Sequence, residues 1–171
     1  LCIVDDEPTI TEGIKLALET EYRIVDFRDA ETAIPAIKRE PPDLILLDIG
    51  LPGMNGVEAL TEIKADFPDL PVIMITAYED IKTVISAMKL GAYDYIVKPI
   101  HMDGLEITIK NALDTIKLRK EVQRLQAKYL QESLPCFIGE SRAILDVMEF
   151  IESVAKSPDT PILLIGETGT G

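Results

Sequence analysis

Asp5, Asp6, Asp48, Thr76 and Lys98 each stand at or just past the C-terminal end of a short apolar run. Brought together, they would offer three carboxylates, a hydroxyl and an ammonium. Like unit charges about 4 Å apart repel by about 4 kcal/mol at an effective dielectric near 20. A fold keeps such a cluster where a divalent cation, an ammonium or both neutralise it. Hard oxygen ligands suit Mg²⁺, with Lys98 balancing the remaining charge. A carboxylate held beside Mg²⁺ and a lysine is placed to attack a phosphoryl group, because that chemistry is mostly positioning and charge neutralisation. Thr76 would offer its hydroxyl to the transferred oxygens. Singly, each piece has an ordinary reading: Asp5-Asp6-Glu7-Pro8 as a helix start, Asp48 as a loop acid, Thr76 as a strand end, Lys98 as a solvated charge. The joint pattern argues for chemistry.

The elements that would gather these residues follow from hydropathy. Apolar runs at 1–4, 44–47, 72–75 and 95–97 are continuous, as expected of strands covered on both faces. A mixed run at 22–27 reads as a strand near the sheet edge. Between them lie helical stripes, Ile10, Ile14, Ala17 and Leu18 in one and Ile81, Val84, Ile85 and Met88 in another, with Leu60 and Ile63 in a third. Starting the second helix near Thr32 would put Pro35 in its first turn, where a missing N–H matters little. Strands alternating with helices over about 100 residues imply a parallel α/β sheet with right-handed crossovers. In such sheets, sites form at the carboxyl ends of the strands.

The whole chain has 171 residues, with 30 acids, 17 bases, one His and two Cys, and a net charge of −13. That charge argues against broad non-specific binding to nucleic acid or anionic membrane. No apolar run approaches the roughly 20 residues of a membrane span. The first residues lack a secretory signal, and two cysteines make no disulfide framework, so a cytoplasmic setting is expected. Between residues 110 and 128 six bases face only Asp114 and Glu121, a composition shift that marks a boundary near residue 105.

The strings V-D-D-E-P at 4–8, L-L-D-I-G-L-P-G-M-N-G at 46–56, I-T-A at 75–77 and D-Y-I-V-K-P at 94–99 resemble those of bacterial response-regulator receiver domains. The resemblance runs from residue 1 to about 117. It implies a flavodoxin-like, doubly wound five-stranded sheet of order 2-1-3-4-5, with Asp48 as the phosphorylated residue. Asp5 and Asp6 would bind Mg²⁺ beside Asp48, with Gly50 lending its backbone carbonyl. Thr76, Ala77 and Lys98 would line the phosphoryl group, Tyr95 would swing inward when it arrives, and the Lys98-Pro99 bond would be cis. A histidine kinase would be the donor. The lone His101 reads as a helix-start side chain, not as a phosphodonor.

From Met102 to about Glu132 a long helix is expected. Leu105, Ile109, Ala112, Leu113 and Ile116 would pack on the sheet. Leu118, Val122, Leu125 and Tyr129 follow the spacing of a coiled-coil seam, so residues 105–132 are expected to pair two subunits, or else to form a solvated linker. A helix from Arg142 to Ala155, capped by Ser141, and a strand at 162–165 would lead into Gly166-Glu167-Thr168-Gly169-Thr170-Gly171. That string fits the start of a phosphate-cradling P-loop. Residues 137–171 resemble the beginning of the ATPase domain of nitrogen-regulatory-type transcriptional activators. Such proteins act on RNA polymerase carrying the alternative sigma factor and bind DNA.

The domains expected are therefore a receiver at 1–117, a helical linker at 118–133 and an ATPase fragment at 134–171. The chain is expected to lack a few residues before Leu1 and to stop one position short of the P-loop lysine, so no ATP turnover is expected of it. The other readings are a constitutive dimerisation scaffold and a P-loop ATPase without a phospho-switch.

Overall fold

The computed structural model describes residues 1–77, 81–133 and 141–154. These fall into two compact units, Leu1–Gln123 and Arg124–Gly171. In the first, strands β1 (Cys2–Val4), β2 (Val25–Phe27), β3 (Ile45–Asp48), β4 (Val72–Thr76) and β5 (Asp94–Val97) alternate with helices α1 (Pro8–Leu18), α2 (Ala30–Arg39), α3 (Gly56–Asp66), α4 (Ile81–Lys89) and α5 (Met102–Ser133), the last of which runs on from Arg124 as part of the second unit. All neighbouring strands pair in parallel, in the order β2-β1-β3-β4-β5. The parallel α/β sheet is the one expected from the alternation of runs, and its order is the doubly wound one that the resemblance to receiver domains implies. The mixed fifth run is edge strand β2, shorter than anticipated and largely exposed.

The strands read as continuous apolar runs because both faces are covered. Cys2, Val4, Ile45, Leu47, Val72 and Met74 face one cluster with α2 and α3. Ile3, Leu46, Ile73 and Ile75 face the other with Ile14, Leu18, Leu105 and Ile109 of α1 and α5. Burial pushes the Cys2 thiol up to about 12, so it behaves as a small core hydrophobe.

Three local starts fix the helices. Pro8 is the first residue of α1, where no N–H is needed. Asp29 caps α2, its Oδ1 accepting from Thr32 N–H at 2.8 Å. That cap sets the start at Ala30, so Pro35 lies inside α2 and not in its first turn, correcting the expected start near Thr32. An ordinary residue there would have bonded to the Glu31 carbonyl.

A capping box opens α3. The Asn55 side chain accepts from Val57 and Glu58 N–H, each at 3.0 Å, and Glu58 Oε2 accepts from Asn55 N–H at 3.3 Å. Asn55→Ala should cost about 1 kcal/mol in a urea titration, and Asn55→Asp much less.

Of the apolar stripe on α4, Val84 is half-buried while Ile85 and Met88 are 50% and 40% exposed, and Ala87 is the residue buried among the described side chains of the helix. Periodicity shows that residues share a face, not how deeply that face is covered.

Helix α5 buries Leu105, Ile109 and Ala112, half-buries Leu113 and Ile116, and exposes Leu118, Val122, Leu125 and Tyr129. His101 lies just before it, its carbonyl accepting from Leu105 N–H at 3.0 Å. In the second unit, α6 (Arg142–Val154) starts as expected, with Ser141 Oγ accepting from Ile144 N–H at 3.4 Å. Cys136, the strand expected at 162–165 and the Gly166–Gly171 string lie outside the described residues. Among the described residues no helix is long and apolar enough to cross a membrane.

Candidate phosphoryl site at the carboxyl edge of the sheet

Parallel pairing places the ends of β1, β3, β4 and β5 on one edge. Asp48 is level with Ile75, and Thr76 with Val97, so the residues after each strand surround one cleft. Asp5, Asp48 and Thr76 are buried, and Asp6 is exposed. One carboxylate oxygen from each of Asp5, Asp6 and Asp48 lies within 4.8 Å of the others. Lys98 Nζ reaches into the group, 3.1 Å from Asp48 Oδ1, 3.2 Å from Asp5 Oδ2 and 2.7 Å from Glu7 Oε1.

Burial raises the Asp48 carboxyl above its ordinary value. The nearby Asp5 and Asp6 add to that rise, and Lys98 offsets part of it. Burial alone would lower Lys98, but its bonds to Glu7 and Asp48 and the charge of Asp5 outweigh that and hold its pKa above the usual lysine value. Asp5 Oδ1 accepts from Glu7 N–H at 2.8 Å. Its Oδ2 is fully buried and receives no aligned hydrogen bond among the described residues, although the Lys98 ammonium lies close by. A buried carboxylate oxygen without a donor is costly, and a cation ligated there would satisfy it.

The loop after β3 closes the other wall. Gly50 packs so tightly that a Cβ there would sit 3.2 Å from Asp48 Oδ2. Gly53 has φ +75, and Glu31 Oε1 of α2 accepts from Met54 N–H at 2.9 Å, tying the loop to α2. The Thr76 hydroxyl donates to the Ala77 carbonyl at 3.1 Å while lining the cleft with Asp48, Gly50, Ala77 and Lys98. Tyr95, on β5, points outward and is 45% exposed. The Lys98-Pro99 peptide bond is cis.

Of the candidate residues, Asp5, Asp6, Asp48, Gly50, Thr76, Ala77 and Lys98 thus share one neighbourhood. Pro99 adjoins it, Tyr95 lies outside the cleft, and the P-loop string is not among the described residues. Sequence reasoning gave no role to Glu7, although its place beside Asp5 and Asp6 put it on the same rim. Nor did it find Glu31, whose contact spans 23 residues and leaves no local signal.

The chain is similar to known proteins along most or all of its length. The nitrogen assimilation regulatory protein NtrX of Azorhizobium caulinodans is 37% identical over 174 residues, covering 100% of this chain and 37% of that protein. The DNA-binding transcriptional regulator NtrC of Proteus hauseri is 33% identical, covering 99% of this chain and 35% of that one. The crystal structure of NtrX from Brucella abortus superposes with a TM-score of 0.71 at 36% identity, over 90% of this chain and 34% of that one. The chain therefore spans little more than a third of the length of these relatives. The family profile of the response regulator receiver domain matches residues 1–110. With its sheet order and that match in agreement, the chain belongs to the response regulator receiver domain family.

Proposed function

We propose that Asp48 accepts a phosphoryl group from a phosphohistidine of a histidine kinase and that this switches the output of a transcriptional activator. The observation that carries the reading is the Asp48 carboxylate at the floor of an open cleft, 3.1 Å from Lys98 and clustered with Asp5 and Asp6. In the transfer an Asp48 oxygen forms a bond to phosphorus as the bond from phosphorus to the donor imidazole nitrogen breaks. The electron pair leaves on that nitrogen, and the group departs as a neutral imidazole whose other ring nitrogen carries the proton. Lys98 neutralises charge on the phosphoryl oxygens, and the Thr76 hydroxyl turns from the Ala77 carbonyl to one of them. The exposed Tyr95 ring then moves toward the space Thr76 leaves. Mass spectrometry after incubation with acetyl phosphate and Mg²⁺ tests this, with a phosphoryl group on Asp48 as the expected result.

Asp5, Asp6 and Asp48, with the Gly50 carbonyl, would hold Mg²⁺, a fit favoured by the all-oxygen donor set and by the buried Asp5 Oδ2, which receives no aligned hydrogen bond among the described residues. When bound it supplies positive charge against the phosphoryl oxygens. Mg²⁺ at a hundred times its dissociation constant should stabilise the fold by about 2.7 kcal/mol. Asp6→Ala should remove most of that gain. A melting temperature indifferent to Mg²⁺ would contradict the assignment.

In this reading residues 1–117 are the receiver, 118–133 a helical linker and 134–171 the start of an ATPase domain, and the receiver serves as phosphoacceptor. Residues 105–132 pair two subunits, supported by the exposed Leu118, Val122, Leu125 and Tyr129 at coiled-coil spacing on α5. In the whole protein the partners are RNA polymerase with the alternative sigma factor and DNA, in the cytoplasm. The same exposed seam in the unphosphorylated chain also suits a constitutive dimer, and sedimentation with and without beryllofluoride separates the two.

A further inference from the structure

Glu7 has so far no function of its own, and four observations give it one. Its Oε1 accepts a hydrogen bond from Lys98 Nζ at 2.7 Å, shorter than the contacts of the same ammonium with Asp48 and Asp5. Its side chain is 56% exposed, against 6% for Asp48 and 0% for Asp5. It lines the cleft that opens over Asp48. Although Glu7 is the N-cap residue of α1, its side chain makes no capping bond.

From this geometry we infer that Glu7 is a positioning residue that competes with the phosphoryl group for Lys98 and so lowers the affinity of the Asp48 site for it. The inference rests on the reading of Asp48 as the phosphoacceptor. An ammonium has three N–H donors, and three carboxylates surround this one. Two of them are buried, with side chains 0% and 6% exposed, and have no path into water that would make room for another anion. Glu7 alone can turn into water at little cost. An arriving phosphoryl group therefore takes the place of Glu7 on Lys98, and the strength of the resting Glu7–Lys98 pair is subtracted from its binding.

The test uses the full chain with saturating Mg²⁺ and titrates beryllofluoride, followed by the amide resonances of Gly50 and Thr76. Glu7→Gln should tighten the apparent affinity by about threefold to fivefold, as expected for loss of an exposed pair worth up to about 1 kcal/mol. Glu7→Asp keeps the charge at the cleft mouth but draws the carboxylate back by a methylene. It should also tighten the affinity if the effect runs through Lys98, and should leave it unchanged if Glu7 acts only by repelling anions, which would overturn the proposal. Glu106→Gln, an equal change of net charge on α5, should have no effect. Unchanged or weaker beryllofluoride binding by Glu7→Gln overturns the proposal, as does a fall in its Mg²⁺ affinity of tenfold or more, which would make Glu7 a metal ligand. In each case phosphoryl uptake by the unaltered chain shows whether the Asp48 reading survives independently.

Discussion

Asp48→Asn is expected to abolish phosphoryl uptake from acetyl phosphate with Mg²⁺, from stoichiometric in the unaltered chain to background, while the domain stays folded. The loss follows from chemistry at one atom. A carboxylate oxygen carries the electron pair that bonds to phosphorus, whereas a carboxamide oxygen is a far weaker nucleophile. Retention of the fold follows from the surroundings. Removing one partner of a buried ion pair is costly when it strands the other charge, but Lys98 keeps Asp5 and Glu7 at 3.2 and 2.7 Å. The variant also loses the repulsion of Asp5 and Asp6 that helps to raise the Asp48 carboxyl. Its thermal transition should remain cooperative. Mg²⁺ should bind more weakly, since an amide replaces a charged ligand. The measurement is intact mass after incubation, and stoichiometric phosphorylation of Asp48→Asn would refute the phosphoacceptor assignment.

That so much of this site was legible in advance has a physical cause. In a parallel sheet every strand runs the same way, so residues that follow the apolar runs must emerge along one edge. Asp5, Asp48, Thr76 and Lys98 needed no contact information to be placed together. What the chain concealed lies where the outcome depends on a partner distant in sequence. Lys98 and Glu7 are 91 positions apart, and Glu31 and Met54 are 23 apart, so neither contact has a local signature. Helix α4 illustrates a different limit. Ile85 and Met88 share a helical face with Val84, but which face meets the core depends on where α3 and β4 leave room, and Ala87 took that place. In α2 the Asp29 cap outweighed the discomfort of Pro35, and the helix began before the position that would have suited the ring.

A methyl group at Gly56 should be the most damaging small change in the domain. Gly56 opens α3, and its N–H donates to the Ile49 carbonyl at 3.1 Å. A Cβ there would lie 2.1 Å from the Asp48 carbonyl oxygen, 2.8 Å from Ile49 Cα and 2.9 Å from the Asp48 carbonyl carbon. All three are backbone atoms, so no rotamer change relieves the clash. Helix α3 or the end of β3 must move by more than an ångström. The fully buried Ala59, Leu60 and Ile63 resist the first motion, and the second displaces Asp48 itself. Overpacking of this kind costs about 3 kcal/mol or more, which for a chain of this size lowers the melting temperature by roughly 6–12 °C. Gly104→Ala supplies the contrast: apart from its chain neighbours and the adjoining backbone of its own helix, no described atom lies within 4 Å of its Cβ position. There the same substitution, inside α5, should stabilise by about 0.5–1 kcal/mol through the entropy of the unfolded chain. Because Gly56 touches the backbone of Asp48, its Ala variant should also lose Mg²⁺ affinity at temperatures where it is still folded, and Gly104→Ala should not. A Gly56→Ala variant that melts within a degree or two of the unaltered chain and binds Mg²⁺ normally would show that α3 does not press on the phosphoacceptor strand as described.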